Sequence, residues 1–311
     1  AFHHCNKNTT FAKILITLGA SNSGVTLAHK TLLKAQEAHL FDLVLQCGRL
    51  LRSHYSFVGF EKQFNEYDRL VGAMIKIQQA EIESDRLREH LLVKYARSTS
   101  KKSEFTGLAE EYVQQLEKIK KEFPTKTLMI NYFRVKSLLY QVKREFNATI
   151  NTCTEAEKYY QENPAFSTKN RLAELALVKM VAFLHLRDYE NGKKNADQCL
   201  KLYTEGSVNW LVFMEYYFLL ALHSQNFSNA IQIFQRVISH PRLLNGPQFR
   251  LEKWQINEGY LNYVFESSWE KAESEEVEMF RKRFNVHKFL NEVPTFSKDK
   301  RGMNVSILIL Q

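Results

Sequence analysis

The hydrophobic residues of the chain recur at the three- and four-residue spacing of one face of an α-helix. This spacing forms apolar or small stripes in three successive segments: Phe133, Ser137 and Tyr140; Ala176, Met180 and Phe183; Met214, Phe218 and Ala221. Each stripe predicts a helix whose striped face packs against its neighbours.

A second helix is predicted to follow each stripe, and an aromatic residue opens it. These aromatics are Phe146, Tyr189 and Phe227, separated by 43 and 38 residues. Small or slim residues follow three and ten positions later: Thr149, Gly192 and Ala230; Ala156, Cys199 and Val237. We expect the aromatic to plug the base of a helix hairpin, and the small residues to let its two helices approach closely.

The helical pattern continues more weakly outside these segments. Residues 24–54 predict a helix pair folded near residues 37–40, and residues 60–97 predict one helix or two that abut. Further predicted helices and turns are a polar turn at 98–103, a helix at 104–122 ended by Pro124, and a last pair at 248–266 and 268–284.

Composition supports an all-α chain. The 311 residues include only 11 glycines and 5 prolines, whereas a sheet protein of this length needs more turn residues. The formal charge is +9, which favours an acidic partner, but the charges are scattered in a way typical of a mixed solvated surface.

The cysteines and the apolar runs bear on the compartment. The four cysteines show no paired spacing, and three lie within apolar helical patterns, so we expect buried thiols in a reducing, cytoplasmic setting. The sequence contains no stretch of 18 apolar residues, so no membrane span is predicted. The end of the chain, NVSILILQ, stops within an apolar run, so we expect a piece of a longer protein.

Motifs for catalysis and for cofactors are missing from the sequence. It contains no GxxxxGK[ST], GxGxxG, GxSxG or HExxH, so we expect no cofactor and no enzyme activity. His3, His4 and Cys5 form a cluster of soft ligands, but a metal site needs about four rigid ligands, and none is expected at this terminus.

Charged runs are interpreted as solvated helix faces. The acidic runs at 81–85 and 270–278 alternate with basic residues at helical spacing. The basic stretches at 136–146 and 280–284 do not gather their cations on one face, so we do not expect nucleic-acid binding. His185 and His223 end first helices at equivalent positions, where exposure to solvent is expected.

The aromatic-x-x-small element, with a further small residue seven positions on, resembles the tetratricopeptide repeat over residues 125–240. The period is longer than the family's usual repeat, and most of its helix-ending prolines are missing. Both ends also resemble segments of large uncharacterised bacterial helical-repeat proteins. The resemblance implies one domain over residues 1–311, a right-handed superhelical solenoid of stacked antiparallel helix hairpins.

The resemblance also implies which side chains line the concave wall of such a solenoid. By repeat position they are Asn131, Arg134, Leu138 and Gln141; Glu174, Leu177, Val181 and Leu184; Val212, Glu215, Leu219 and Leu222. An apolar floor with polar ends suits an extended peptide or a partner helix. Asn131 and Gln141 would hydrogen-bond a peptide backbone, and Arg134 would hold a carboxylate. The competing interpretation, given equal weight, is that this floor packs against a neighbouring turn or against another part of the protein and binds no partner.

The leading expectation is a non-catalytic scaffold that binds a protein or peptide and has no membrane partner. The alternative is a bacterial regulator that senses a peptide by a change of superhelical pitch. An all-helical enzyme whose site is assembled from distant residues is a third hypothesis, ranked with nucleic-acid binding below the others. The sequence predicts neither the identity of the partner nor the oligomeric state.

Overall fold

The computed structural model describes residues 2–97, 102–267 and 285–292. Within these ranges every regular element is helical, with fourteen α-helices, one short 3-10 helix and no strand. The prediction of an all-α chain is confirmed. Contacts divide the chain into two compact units, the first formed by residues 1–139 and 164–166 and the second by residues 140–163 and 167–311. The expected single continuous domain stays a prediction.

The first unit contains five complete helices: α1 (Phe2–Thr17), α2 (Ser21–Glu37), α3 (Phe41–Phe57), α4 (Glu61–Arg97) and α5 (Lys102–Glu122). Helix α6 (Lys126–Lys143) starts in the first unit and ends in the second, and the 3-10 helix Pro164–Phe166 belongs to the first.

The second unit contains eight α-helices within its described residues: α7 (Phe146–Glu162), α8 (Lys169–Leu186), α9 (Tyr189–Leu202), α10 (Val208–His223), α11 (Phe227–Ile238), α12 (Pro241–Leu244), α13 (Gln248–Ser267) and α14 (Val286–Glu292).

Helices of the first unit pack on their neighbours in chain order. Each of α1, α2 and α3 contacts the next helix, and α1 also contacts α3. Their shared core includes Ala28 of α2 and Leu43, Val44 and Leu51 of α3, all nearly or fully buried. Gly24 lets α1 and α2 approach closely, because a Cβ atom there would lie 2.6 Å from Ile16 Cγ1 and 2.9 Å from the Ala12 carbonyl oxygen.

The second unit follows the same rule from α7 to α11, and α8 also contacts α10 directly. Its core is rich in large side chains, with Trp210, Phe213, Phe218 and Trp254 each at most 1% exposed. Such a core supplies most of the hydrophobic stabilisation available to the unit.

The predicted hairpins are confirmed at their boundaries. Phe146, Tyr189 and Phe227 are the first residues of α7, α9 and α11. Phe227 is buried, whereas Phe146 and Tyr189 are half-buried. Before the two later aromatics, a side chain caps the helix, since Asp188 accepts a hydrogen bond from the Asn191 amide and Asn226 from the Asn229 amide.

The turn before each aromatic has one backbone geometry. Arg144, Arg187 and Gln225 lie in the left-handed helical region, with φ of 61°, 60° and 59°. At Arg187 the amide donates to the Leu184 carbonyl, and the next amide donates to the Phe183 carbonyl. This pair of hydrogen bonds is the Schellman motif that ends a helix.

The first unit contains a further copy of this turn, at the place where the sequence predicts the fold between α2 and α3. His39 has a φ of 55°, and Phe41 opens α3 two residues later. The aromatic-x-x-small pattern did not include this turn, because Val44, three residues after Phe41, is not small. Gly19 and Gly59 hold the same left-handed conformation between α1 and α2 and between α3 and α4.

The small residues predicted to allow close approach are all buried. However, Gly192 serves a different contact from the one expected. A Cβ atom there would lie 2.9 Å from Leu220 Cδ1 on α10, the first helix of the next hairpin. The close approach at Gly192 therefore joins successive hairpins and not the two helices of one hairpin.

The other predicted elements agree with the structure where they can be compared. Residues 24–54 form a helix pair with its turn at 38–40, and α4 is one continuous helix of 37 residues. The helices predicted at 104–122 and 248–266 are α5 and α13. The predicted helix at 268–284 lies outside the described residues, as do residues 98–101 of the polar turn and the final apolar run.

Two glycine substitutions are expected to change stability in opposite directions. Gly24→Ala should lower the free energy of unfolding by about 1–3 kcal/mol, because the new Cβ meets backbone of α1. Gly72→Ala should raise it by about 0.5–1 kcal/mol, because no atom lies within 4 Å of the new Cβ in α4 and alanine favours the helix. Urea denaturation of the two variants measures both effects. A gain in stability from Gly24→Ala would contradict the α1–α2 packing.

Candidate functional site

Two sets of predicted site residues lie on α8 and α10 of the second unit. On α8 these are Glu174, Leu177, Val181 and Leu184; on α10 they are Val212, Glu215, Leu219 and Leu222. Spacings of three and four residues place each set along one face of its helix. Because α8 and α10 contact each other, we call these eight side chains the α8–α10 face.

The apolar side chains of the α8–α10 face are partly exposed to solvent and also pack against the core. Leu177, Val181 and Leu219 are partly buried against the core of the second unit, and Val212 is 40% exposed. Beneath them, Ala176 of α8 is fully buried. A floor of half-exposed aliphatic groups gains further burial when a partner covers it.

Glu215 is the charged residue at the centre of an apolar helix. It is the only charged residue in the segment 208–222, and its side chain is 14% exposed. The Lys253 ammonium of α13 donates a short hydrogen bond to its carboxylate. Burial raises the pKa of the Glu215 carboxyl, while Lys253 and Arg250 lower it and offset part of that rise.

Glu174 lies at the other charged position of the face, near the start of α8. Its side chain is half-buried. Burial raises the pKa of the Tyr203 phenol, and the charges of Cys199 and Glu174 raise it further. The Glu174 carboxylate therefore interacts electrostatically with Tyr203, a core residue of the second unit.

The remaining predicted residues lie on α6. In the first unit, Asn131 is buried, and its side-chain amide donates to Ser84 Oγ at 2.9 Å and to Asp85 Oδ1 at 3.0 Å. Asn131 thus links α6 to α4 in the core, and we leave it out of the binding surface proposed below. Arg134 is exposed and Leu138 half-buried in the first unit, and Gln141 is half-buried in the second.

His185 and His223 are exposed, as expected, and His185 also makes a ring contact that the sequence did not indicate. Its imidazole stacks on the Phe146 ring, with centroids 4.4 Å apart and planes 7° from parallel. Burial lowers the pKa of His185, and the charges of Arg144 and His223 lower it further. A neutral imidazole is therefore favoured against the aromatic that opens α7.

Other reactive groups do not converge in the described residues. All four cysteines are free and buried. Cys5 faces the core while His3 and His4 are exposed, and no group of three or more His, Cys, Asp or Glu side chains in the described ranges could hold a metal ion. An open depression of about 400 Å³ on α2 is lined only by residues 22–30 of that helix.

None of the described helices has the length and apolar character needed to cross a membrane. No protein-family model matches the sequence, and no curated protein matches it either.

The Glu215 carboxyl is expected to make stability depend on pH. Its pKa is higher in the folded chain than the ordinary 4.5, so ionisation favours unfolding as the pH rises above about that value. Glu215→Gln should match the wild type in melting temperature at acid pH and exceed it at neutral pH. Thermal unfolding across pH 4 to 8 measures the difference. A variant that is less stable than the wild type at neutral pH would show that the Lys253 pair outweighs the burial of the charge.

Proposed function

We propose that the chain is a non-catalytic helical-repeat scaffold that binds a protein or peptide on the α8–α10 face. The observation that carries the proposal is the set of partly exposed aliphatic side chains on two first helices that contact each other. A surface of this kind accepts the apolar side chains of an extended segment or of a helix, and pockets between helices give it specificity.

The charges on the face support a polypeptide partner. Glu174 lies on the same helix face as Leu177 and Val181 of α8. Leu177 and Val181 give the partner apolar surface to bury, and the Glu174 carboxylate restricts by charge which partners fit. The Glu215 carboxylate is already paired with Lys253.

We also propose kinship with the tetratricopeptide repeat and, in the second unit, its solenoid arrangement of hairpins. Three features support this: the aromatic at the start of each second helix, the shared left-handed turn before it, and the buried small residues after it. The free buried cysteines agree with a reducing compartment. For this reason, and because both ends of the chain resemble segments of bacterial helical-repeat proteins, we propose that the protein is located in the cytoplasm of a bacterium.

The proposal is tested by peptide selection on the whole chain. A random peptide library is displayed on phage, selected against the wild type, and the enriched peptides are synthesised and measured by fluorescence anisotropy. Leu177→Lys and Leu219→Lys should each weaken binding by about tenfold, because they place a cation in the apolar floor. Both leucines pack on the core of the second unit, so each lysine is also expected to lower the melting temperature. Binding is therefore compared at a temperature at which circular dichroism shows each variant to be folded.

The matched control is Leu244→Lys, which alters a 56% exposed leucine of α12 outside the face. It should leave peptide binding unchanged. Enriched peptides that bind all three variants equally would show that the α8–α10 face is not the binding surface. Selection that enriches no peptide would count against a peptide-binding scaffold altogether.

A further inference from the structure

Helix α1 is apolar on two opposite faces. Cys5 and Ala12 are buried in the core that α1 shares with α2 and α3. Phe11, Ile14 and Leu18 lie on the other side and are 47%, 45% and 76% exposed. Leu18 extends the helical turn, since its amide donates to the Ile14 carbonyl at 2.9 Å. We call these three side chains the outer stripe.

The outer stripe has the spacing of a helix–helix seam. Its residues are three and four positions apart, as the facing positions of two packed helices are. Polar residues border it, with Thr10 and Thr17 exposed on one side and His4 exposed on the other. The apolar surface is therefore about one side chain wide. A helix lying on a bilayer needs a broader apolar face, so the stripe fits a helix better than a lipid surface.

The positive charge of α1 determines which kind of partner helix fits the outer stripe. Helix α1 carries Lys7 and Lys13 and contains no Asp or Glu. The Lys7 ammonium lies 5.5 Å from the centre of the Phe11 ring, directly beside the stripe. A second copy of α1 packed on the stripe would bring like charges together, whereas carboxylates on a partner helix would be attracted.

We propose that the outer stripe of α1 is a docking surface for an acidic amphipathic helix of a partner protein. The partner helix presents apolar residues at three- and four-residue spacing to Phe11, Ile14 and Leu18. An Asp or Glu side chain of the partner helix lies close to Lys7. This surface uses other residues than the α8–α10 face, so its existence does not depend on the function proposed for that face.

The probe is a synthetic peptide of about three heptads with Leu at the seam positions and Glu at the flanking positions. Its glutamates oppose self-association, and a matched peptide carries Lys in their place. Binding to the whole chain is measured by fluorescence anisotropy. The acidic peptide should bind and the basic peptide should not. Ile14→Glu should weaken binding of the acidic peptide by about tenfold or more, since it removes the central apolar contact.

Two further variants sharpen the result. Ile82→Glu changes a 61% exposed isoleucine on α4 and should leave binding unchanged. The variant Lys7→Glu should reverse the preference and bind the basic peptide, because the charge beside the outer stripe is inverted. Both variants alter exposed positions, so circular dichroism is expected to show the same helix content as the wild type.

Three outcomes would overturn the proposal. Acidic-peptide binding that Ile14→Glu leaves unchanged would place the contact elsewhere. A dimer in sedimentation equilibrium that Ile14→Glu dissociates would identify a second copy of the chain as the occupant. Binding to phosphatidylserine vesicles that Ile14→Glu abolishes, without binding of the acidic peptide, would identify a lipid surface.

Discussion

A single backbone constraint, a residue held in the left-handed helical region at the end of a helix, sets the course of the chain. Arg144, Arg187 and Gln225 adopt it in the second unit, and His39 adopts it in the first. The conformation costs a residue with a Cβ about 1–2 kcal/mol, so packing on both sides must compensate for it. In each hairpin the second helix begins two residues later with an aromatic residue.

The turns decide which surfaces the second unit can present. Because each turn reverses the chain after one helix, the first helices α8 and α10 come to lie side by side. The residues of the predicted stripes, Ala176, Met180 and Phe218 among them, are buried in the core. The residues between them on the helix, such as Leu177 and Leu219, remain half-exposed. The α8–α10 face is therefore a consequence of hairpin packing and not a separate structure added to it.

Much of this fold could be predicted from residue types alone. Helix boundaries at Phe146, Tyr189 and Phe227 followed from the stripes, because amphipathic spacing and an aromatic after a turn are local signals. The continuous α4 was left open, since Gly72 allows either one helix or two. The turn at residues 37–40 was predicted, but its left-handed conformation was not, because histidine gives no sign of it, whereas Gly19 and Gly59 are the residue type that such a conformation favours.

The candidate site was harder to predict, for a physical reason. Helical spacing gives the face on which a residue lies, but it does not give the neighbour that the face meets. Asn131 was expected to line an open wall, yet its side-chain amide donates a hydrogen bond to Ser84 of another helix. Gly192 was expected to contact its own hairpin and meets Leu220 of the next. The Lys253 partner of Glu215 lies 38 residues away along the chain, beyond any local pattern.

The central claim, that left-handed turns define the hairpins, is tested most directly by the sign of a stability change at Arg187. The account predicts that Arg187→Gly raises the free energy of unfolding by about 0.5–1 kcal/mol, because glycine adopts this conformation without the Cβ clash. The matched variant Lys193→Gly, at an exposed position inside α9, should lower it by about 1 kcal/mol. Chemical denaturation measures both. If Arg187→Gly destabilised the protein as Lys193→Gly does, the left-handed turn would be contradicted, and the hairpin account with it.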